Sequence, residues 1–463
     1  MSAHFDVVVL GAGPGGYVAA IRAAQLGKKT AVVEKQWWGG VCLNVGCIPT
    51  KALLRNAELA HIVTKEAAAF GISGDIAVDY GKAFARSRQV SDRMVKGVHF
   101  LMKKNRITEY DGYWGTFVDA STLRVAKDDG TADTITFDNC IIDVGATAKM
   151  LPGTSRSANV LSFEEMILSE QLPGSIIIGG SGAIGTEFAY VLASYGVDVT
   201  IVEFLDRMVP NEDEAISKQL ERAFRKRKIT FRTNTMFESV ERHDGGVTVR
   251  TQDGKTHEAE VLLIAVGRGP ATANLGYEEV GVAMDRGFVL ADEYGRTNVP
   301  GVWAVGDIVP GVQLAHRGFA QGIVVAEKIA GLDPTPVDDV LVPKVTFCEP
   351  EIASVGLSEA KAAEIHGKDN ITTAEFNVAG NAKSQILGTQ GFVKLVSLKD
   401  GPILGFHAIG ARMGEQVGEG QLMVTWEAYA DDVAALVHAH PTQNETLGEA
   451  AMALAGKPLH NHG

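Results

Sequence analysis

A chain of 463 residues, 46% hydrophobic and 21% charged, is long enough for about three domains and apolar enough to bury large cores. Its formal net charge of −13 argues against nucleic acid or an anionic membrane surface as the main partner, because a polyanion is repelled. Four cysteines (Cys42, Cys47, Cys140 and Cys348) make no disulfide scaffold, the longest apolar runs are too short to span a bilayer, and no metal site is read.

The first residues pass straight into a strand pattern, Phe5-Asp6-Val7-Val8-Val9-Leu10. No basic stretch and apolar run of a secretory leader precede it, so the chain reads as cytoplasmic. The strand runs into Gly11-Ala12-Gly13-Pro14-Gly15-Gly16, then an amphipathic helix from Tyr17 to Leu26, then a second strand from Thr30 to Val33 that ends at Glu34. This order is a βαβ dinucleotide fingerprint. Gly11, Gly13 and Gly16 let the backbone turn tightly and approach a pyrophosphate at the helix N-terminus, and Glu34 is placed to accept hydrogen bonds from a ribose diol.

Just past that unit lies Trp38-Gly39-Gly40-Val41-Cys42-Leu43-Asn44-Val45-Gly46-Cys47-Ile48-Pro49-Thr50-Lys51. In a straight α-helix, residues five apart lie about 8 to 9 Å between Cα atoms, beyond the reach of an unstrained disulfide. Cys42 and Cys47 can therefore bridge only across a distorted turn. Gly46 supplies backbone freedom and Pro49 lacks an N–H, which permits such a turn, and a bond made this way is easily reduced. Taken alone, the pair reads better as two ordinary thiols of a cytosolic protein, and context has to overturn that.

Asn139-Cys140-Ile141-Ile142-Asp143-Val144-Gly145 reads as a buried strand ending in glycine, and Pro152-Gly153 marks a seam. Beyond it, Ser175-Ile176-Ile177-Ile178-Gly179 leads into Gly180-Ser181-Gly182-Ala183-Ile184-Gly185, a helix through Tyr195, and a strand from Val199 to Val202 that closes on Glu203. From Gly11 to Glu34 is 23 positions, and from Gly180 to Glu203 is also 23. Two matched fingerprints imply two bound dinucleotides. Glu203 favours NAD over NADP, because a carboxylate there repels the 2′-phosphate that an arginine attracts. A second strand-to-glycine echo runs from Val261 to Gly267, and Gly269-Pro270 marks another seam. Between Thr297 and Asp307 an apolar strand delivers an aspartate at its end, where ligands of open α/β sheets gather; a turn cap is the other reading. The last region holds further β-type segments, Gly391 to Val396 and Ile403 to His407, and then His438-Ala439-His440-Pro441-Thr442-Gln443-Asn444-Glu445. Thr442 to Glu445 has the form of a capping box ahead of an Ala-rich helix that runs up to Gly456.

The two fingerprints, the C-x4-C segment, the strand ending in Gly306-Asp307 and the His438–Glu445 motif resemble the pyridine nucleotide-disulfide oxidoreductases along nearly the whole chain. The resemblance implies an α/β fold with two Rossmann-like domains, for FAD and NAD, plus a C-terminal α+β dimerisation domain. The expected boundaries are 1–150 and 271–341 for the FAD domain, 151–270 for the NAD domain and 342–463 for the interface domain. It further implies FAD contacts from Lys51, Gly115, Asp307 and Ala315 beside Gly11, Gly13, Gly16 and Glu34, and NAD contacts from Gly180, Gly182, Gly185, Glu203 and Gly267. Cys42 is then the interchange thiol and Cys47 the thiolate against the flavin. Lys51 lies near the flavin and pairs with Glu187, although both charges alone would read as solvated surface groups. His440 is the general base and Glu445 holds its other ring nitrogen. The catalytic unit is a homodimer in which each histidine completes the other subunit's site.

Within the family, the residues Glu203-Phe204-Leu205-Asp206 lack the arginines of NADPH-dependent members, no cysteine follows Cys348, and both redox sulfurs are present. These features resemble the members that oxidise protein-bound dihydrolipoyl groups with NAD+. The implied partners are lipoyl-bearing acyltransferase subunits of 2-oxo acid dehydrogenase complexes or a glycine-cleavage carrier. Another NADH-dependent disulfide reductase, a diaphorase or quinone reductase, and a non-catalytic component of such an assembly are the alternatives. Two departures stand out. Asp143-Val144-Gly145 replaces the usual Ala-Thr-Gly, putting a carboxylate with no evident partner at a buried junction. Gln443-Asn444 replaces the more usual pair between Thr442 and Glu445.

Overall fold

Val7, Val8, Val9 and Leu10 are all buried, a continuous apolar run that suits a strand covered on both faces. In the computed structural model, which describes residues 3–460, they belong to the strand Ala3–Leu10 at the middle of a seven-stranded sheet. It pairs in parallel with Thr30–Glu34 on one side and Ala132–Ile142 on the other. The long strand Ala132–Ile142 also takes Val302–Ala304 in parallel along its C-terminal end, and Thr122–Ala126 antiparallel along its N-terminal end. The C-terminal ends of four parallel strands therefore lie along one edge: Leu10, Glu34, Ile142 and Ala304. Ligands of open α/β sheets bind at such an edge.

The expected helix from Tyr17 to Leu26 runs Pro14–Gln25. Pro14 takes the first turn, where its missing N–H costs nothing. The expected apolar strand from Thr297 is shortened to Val302–Ala304, because Pro300 and Gly301 turn the chain: Gly301 has φ +78° and the Val302 N–H bonds back to the Val299 carbonyl.

Chain contacts gather the molecule into two units. One holds residues 1–52, 81–149 and 267–339, and contains the sheet just described. The other holds residues 53–80, 150–266 and 340–463. In the second unit a five-stranded parallel sheet has Ser175–Gly179 at its centre, flanked by Asp198–Val202 and Val261–Ile264, with Thr230–Arg232 and Val160–Ser162 outermost. The same unit carries a five-stranded antiparallel sheet built from Lys344–Thr346, Glu351–Gly356, Ile403–Gly410, Phe392–Leu398 and Ile371–Asn377. The helices Met413–Thr425 and Glu445–Leu454 pack on this sheet through Met413, Val417, Met423, Leu447, Ala450 and Ala451.

One buried ion cluster ties the antiparallel sheet to the start of the helix Glu214–Lys226. Lys394 is only 4% exposed, with Nζ 2.9 Å from Asp213 Oδ1 and 2.7 Å from Glu359 Oε2. Asp213 also caps the helix Glu214–Lys226 through the Ala215 N–H and accepts the Glu359 N–H. Burial alone would raise the Asp213 carboxyl, but the bond from Lys394 and its charge pull it below the usual aspartate range. Removing the cation strands a buried carboxylate, so Lys394→Met is expected to cost about 3 kcal/mol. The check is the urea midpoint of the holoenzyme, which should fall with no change in slope.

Candidate active site

The two fingerprints fold alike, atom by atom. Gly11 has φ +98° and Gly180 φ +101°, left-handed values that favour glycine. Gly13 caps its helix at φ −66°, ψ −178°, and Gly182 does so at φ −64°, ψ −177°. A Cβ on Gly16 would collide with the Gly11 carbonyl, and one on Gly185 with the Gly180 carbonyl. The third glycine of each motif is thus required by close packing of helix on loop.

The acids that end the second strands face back toward these loops. Glu34 accepts the Ala12 N–H at 2.7 Å and the Gln36 and Trp37 N–H groups at 2.8 Å. Glu203 accepts the Ser181 N–H at 2.8 Å, the Ser181 hydroxyl at 2.7 Å and the Leu205 N–H at 2.8 Å. Each carboxylate, with about four lone-pair sites, keeps capacity for a ribose hydroxyl.

The segment after Glu34 is two helices, Gly40–Val45 and Cys47–His61, broken at Gly46. Gly46 sits at φ −136°, ψ −116°, and a Cβ there would lie 2.9 Å from the Val41 carbonyl oxygen. The break brings the two sulfurs into hydrogen-bond contact, which the five-residue spacing of a straight helix would deny. Thr50 Oγ1 bonds the Gly46 carbonyl at 2.7 Å, and Asn44 Nδ2 bonds the carbonyls of Trp38 and Gly40 at 2.9 Å, so both sides of the break are held. The Cys42 thiol is pushed up by its bond to Cys47 first, then by burial and by the charge of Cys47; Lys51 and Arg268 act the other way. The pair therefore loses one proton far more readily than two.

Asp307 ends the edge described above in a 3₁₀ turn, Gly306–Ile308, and pairs with Arg268 at 2.7 Å. Ala315 opens the helix Ala315–Ile329. Gly115 packs on Leu10, where a Cβ would lie 2.6 Å from Cδ2. Gly267, at φ +113°, and Gly182 would each place a Cβ in open space. Glu187 is buried on the helix Ala183–Ser194 and accepts the Phe347 N–H at 2.9 Å. Lys51 and Glu187 fall in different units.

His440 and Glu445 are brought together: Nδ1 lies 2.8 Å from Oε1, and the His440 side chain is 70% exposed. The other oxygen, Oε2, accepts the Thr442 N–H at 2.8 Å. Burial would raise the Glu445 carboxyl, but the bonds from His440 and the Thr442 N–H pull it down. Only half the expected capping box forms. The Thr442 hydroxyl bonds the Ala439 carbonyl, and the helix starts later, at Glu445 with Asn444 as its cap. One carboxylate thus serves helix entry and imidazole together.

Residues 5–322 match the pyridine nucleotide-disulphide oxidoreductases, and residues 342–451 match the dimerisation domain of the same group. The chain belongs to the pyridine nucleotide-disulphide oxidoreductase family. This oxidoreductase is 53% identical to a dihydrolipoyl dehydrogenase of Mycobacterium tuberculosis over 462 residues, covering 98% of each chain. It is 46% identical to the dihydrolipoyl dehydrogenase of Corynebacterium glutamicum, covering 98% of this chain and 99% of that one. Among solved structures it is similar to LpdA from M. tuberculosis, with a TM-score of 0.90 at 25% identity over 98% of this chain and 99% of that chain. A flavoprotein disulfide reductase induced by HOCl, RclA from Escherichia coli, gives a TM-score of 0.88 at 25% identity over 98% and 100%.

The cofactors of the oxidoreductase are FAD and NAD, and the residues present fit both. Each fingerprint combines a helix N-terminus, a glycine loop without Cβ atoms in the way and an acid at the second strand end, the donor set a dinucleotide needs.

Sequence reasoning missed several partners. Arg268 follows Gly267 directly in the second strand-to-glycine echo, yet nothing local pairs it with Asp307, 39 positions on. Arg317, 5% exposed, bridges Asp339 and the Pro310 carbonyl. His438 bonds Glu419 at 2.8 Å, which raises its imidazole, and Glu419 also takes the Asn444 amide. The His438-Ala439-His440 spelling is the one signal that pointed there.

Proposed function

We infer that this oxidoreductase is an NAD-dependent dihydrolipoyl dehydrogenase that works as a homodimer. The observation that carries the reading is the contact of Cys42 with Cys47 at the break before Cys47–His61, beside the field of Lys51 and Arg268. Two sulfurs so placed close to a disulfide with the loss of two protons and two electrons and little movement of the chain. The relatives in Mycobacterium and Corynebacterium, matched over nearly their whole length, support the substrate class.

In the assigned roles, His440 of the partner subunit takes a proton from one dihydrolipoyl thiol. The resulting thiolate attacks Cys42 Sγ, the Cys42–Cys47 bond breaks, and its electron pair stays on Cys47. The second dihydrolipoyl sulfur, after losing its own proton, then attacks the first. This forms the lipoyl disulfide and expels Cys42, which takes a proton. Bound FAD supplies the two-electron carrier between the dithiol and NAD+. Glu445 fixes the histidine tautomer and balances imidazolium charge, in the manner of a triad's third member. Exposure of His440 suits delivery to a neighbouring subunit. The first fingerprint, with Lys51, Gly115, Asp307 and Ala315, is assigned to FAD, and the second, with Gly267, to NAD. Residues 1–150 and 271–341 form the FAD domain, 151–270 the NAD domain and 342–463 the interface domain. The lipoyl group arrives on an acyltransferase subunit of a 2-oxo acid dehydrogenase complex or a glycine-cleavage carrier, in the cytoplasm.

Purified holoenzyme with NADH should reduce lipoamide, and run backwards with dihydrolipoamide and NAD+, at least about a hundredfold faster than it reduces glutathione disulfide or a mycothiol-like disulfide. A rate on either rival equal to that on lipoamide sinks the assignment.

A further inference from the structure

Asp143, an acidic residue at a buried strand end, is built into the first fingerprint. The strand Ala132–Ile142 delivers it to the same edge as Gly11, and its N–H bonds the Leu10 carbonyl at 2.8 Å. Only 5% of the residue is exposed. Carboxyl Oδ2 accepts the Gly16 N–H at 2.5 Å, inside the first turn of the helix Pro14–Gln25. A Cβ added at Gly13 would lie 3.2 Å from Oδ2, one at Gly15 would lie 3.0 Å from Oδ1, and one at Gly306 would collide with Oδ1. Three glycines, two at the start of the helix Pro14–Gln25 and one in the turn Gly306–Ile308, thus leave the room that this carboxyl fills.

The charges around it oppose ionisation. Glu34, from the neighbouring strand end, and Asp307, from the turn after Val302–Ala304, both act on Asp143 as like charges. The nearby cations are engaged elsewhere: Arg268 pairs with Asp307, and Arg317 bonds Asp339 and the carbonyls of Gly306 and Pro310. The strand Ala3–Leu10 meets Asp143 through the Leu10 carbonyl, which accepts its backbone N–H, while the start of the helix Pro14–Gln25 faces the carboxyl with backbone and contributes the Gly16 N–H. The same loop has to take a diphosphate, which the positive helix end and free N–H groups attract. An ionised carboxylate within the first turn offsets that helix-end charge and repels both phosphates. A neutral carboxylic acid fills the same space and does neither.

We propose that Asp143 makes flavin retention proton-dependent: the loop holds the FAD diphosphate with Asp143 as the neutral acid and releases it more readily once Asp143 is a carboxylate. This rests on the assignment of the first fingerprint to FAD. Burial is the main cause that pushes the carboxyl well above the aspartate range; the Gly16 bond opposes it, and Asp307 and Glu34 add to it. A bound diphosphate brings further negative charge, so FAD raises the carboxyl's affinity for its proton. By linkage, loss of that proton weakens FAD. One proton sets the ceiling, a Kd that rises at most about tenfold per pH unit.

Fluorescence of flavin released from dilute holoenzyme, followed from about pH 5 to about pH 9, reads this directly. For the wild-type chain the apparent Kd should climb toward tenfold per pH unit as Asp143 ionises. Asp143→Asn keeps an acceptor for Gly16 without a titrating proton, and Asp143→Ala removes the carboxyl altogether. Both should flatten the profile and hold FAD more tightly than wild type at the alkaline end. A second readout is the infrared difference spectrum of the wild-type and Asp143→Asn holoenzymes at neutral pH, which should show one buried protonated carboxyl in the wild type. An equal pH slope in all three proteins, or no such carboxyl band, overturns the role of Asp143 and leaves the FAD site standing. A wild-type chain that carries no FAD and binds none at any pH overturns the site assignment and the proposal together.

Discussion

Cys47→Ser should abolish oxidation of dihydrolipoamide and, with it, the long-wavelength absorbance that a thiolate gives against an oxidised flavin. Serine cannot form the disulfide, so the substrate thiolate finds no electrophilic sulfur to attack and its two electrons have no acceptor. The alkoxide that would replace the thiolate is far too basic to persist at neutral pH. The pair's electrostatics fit a shared proton: the Cys42 thiol is pushed up, chiefly by its bond to Cys47. Reduction of an artificial dye by NADH bypasses the sulfurs and should persist within about threefold of wild type. An anaerobic dihydrolipoamide titration followed by absorbance decides the matter. Retention of turnover together with the long-wavelength band would remove the redox role of the pair and favour a diaphorase or quinone reductase.

His440→Gln should lower dihydrolipoamide oxidation by about 10²- to 10⁴-fold, the usual worth of a positioned acid–base group. NADH-driven dye reduction, which needs no proton taken from a thiol, should change little. Nδ1 lies 2.8 Å from Glu445 Oε1, and the proposed role gives Nε2 to the substrate. Glutamine keeps similar bulk but cannot take up the proton. Glu445 retains its bond to the Thr442 N–H in the variant, so the entry of the helix Glu445–Leu454 should stay intact. Equal losses in both assays, or a lowered dimer content in sedimentation, would show that His440 matters for structure rather than for proton transfer.

The two βαβ fingerprints were legible because everything they need is local. A strand, a glycine turn, a helix and a terminal acid lie within about thirty residues in a βαβ unit, and the second copy repeats the spacing. Strand positions such as Val7 to Leu10 and Ile176 to Gly179 are buried as their apolar runs predict. Boundaries slipped where proline or glycine controls the turn: Pro14 starts its helix early, and Pro300-Gly301 cut short the strand expected from Thr297.

The cysteine pair shows the limit of pattern reading. Its spacing alone argued against contact, and the two sulfurs meet because the helix is interrupted at Gly46, an interruption supported by Thr50 and Asn44 on either side. Glu445 looked like a choice between cap and catalytic partner, and the fold uses one oxygen for each.

What is carried by neighbours along the chain was thus determined by the residues themselves: two βαβ fingerprints that each end in an acid, a thiol pair, and a histidine with an acid five positions on. Tertiary structure alone decided which charges meet. Arg268 and Asp307, Lys394 and Asp213, and Asp143 and the Gly16 N–H are separated by 39, 181 and 127 positions. A charge brought into a buried place is tolerable only beside a partner or in neutral form. That partner is chosen by strand order and sheet edge, which bring Ile142 beside Leu10 in space and leave no trace in local spacing.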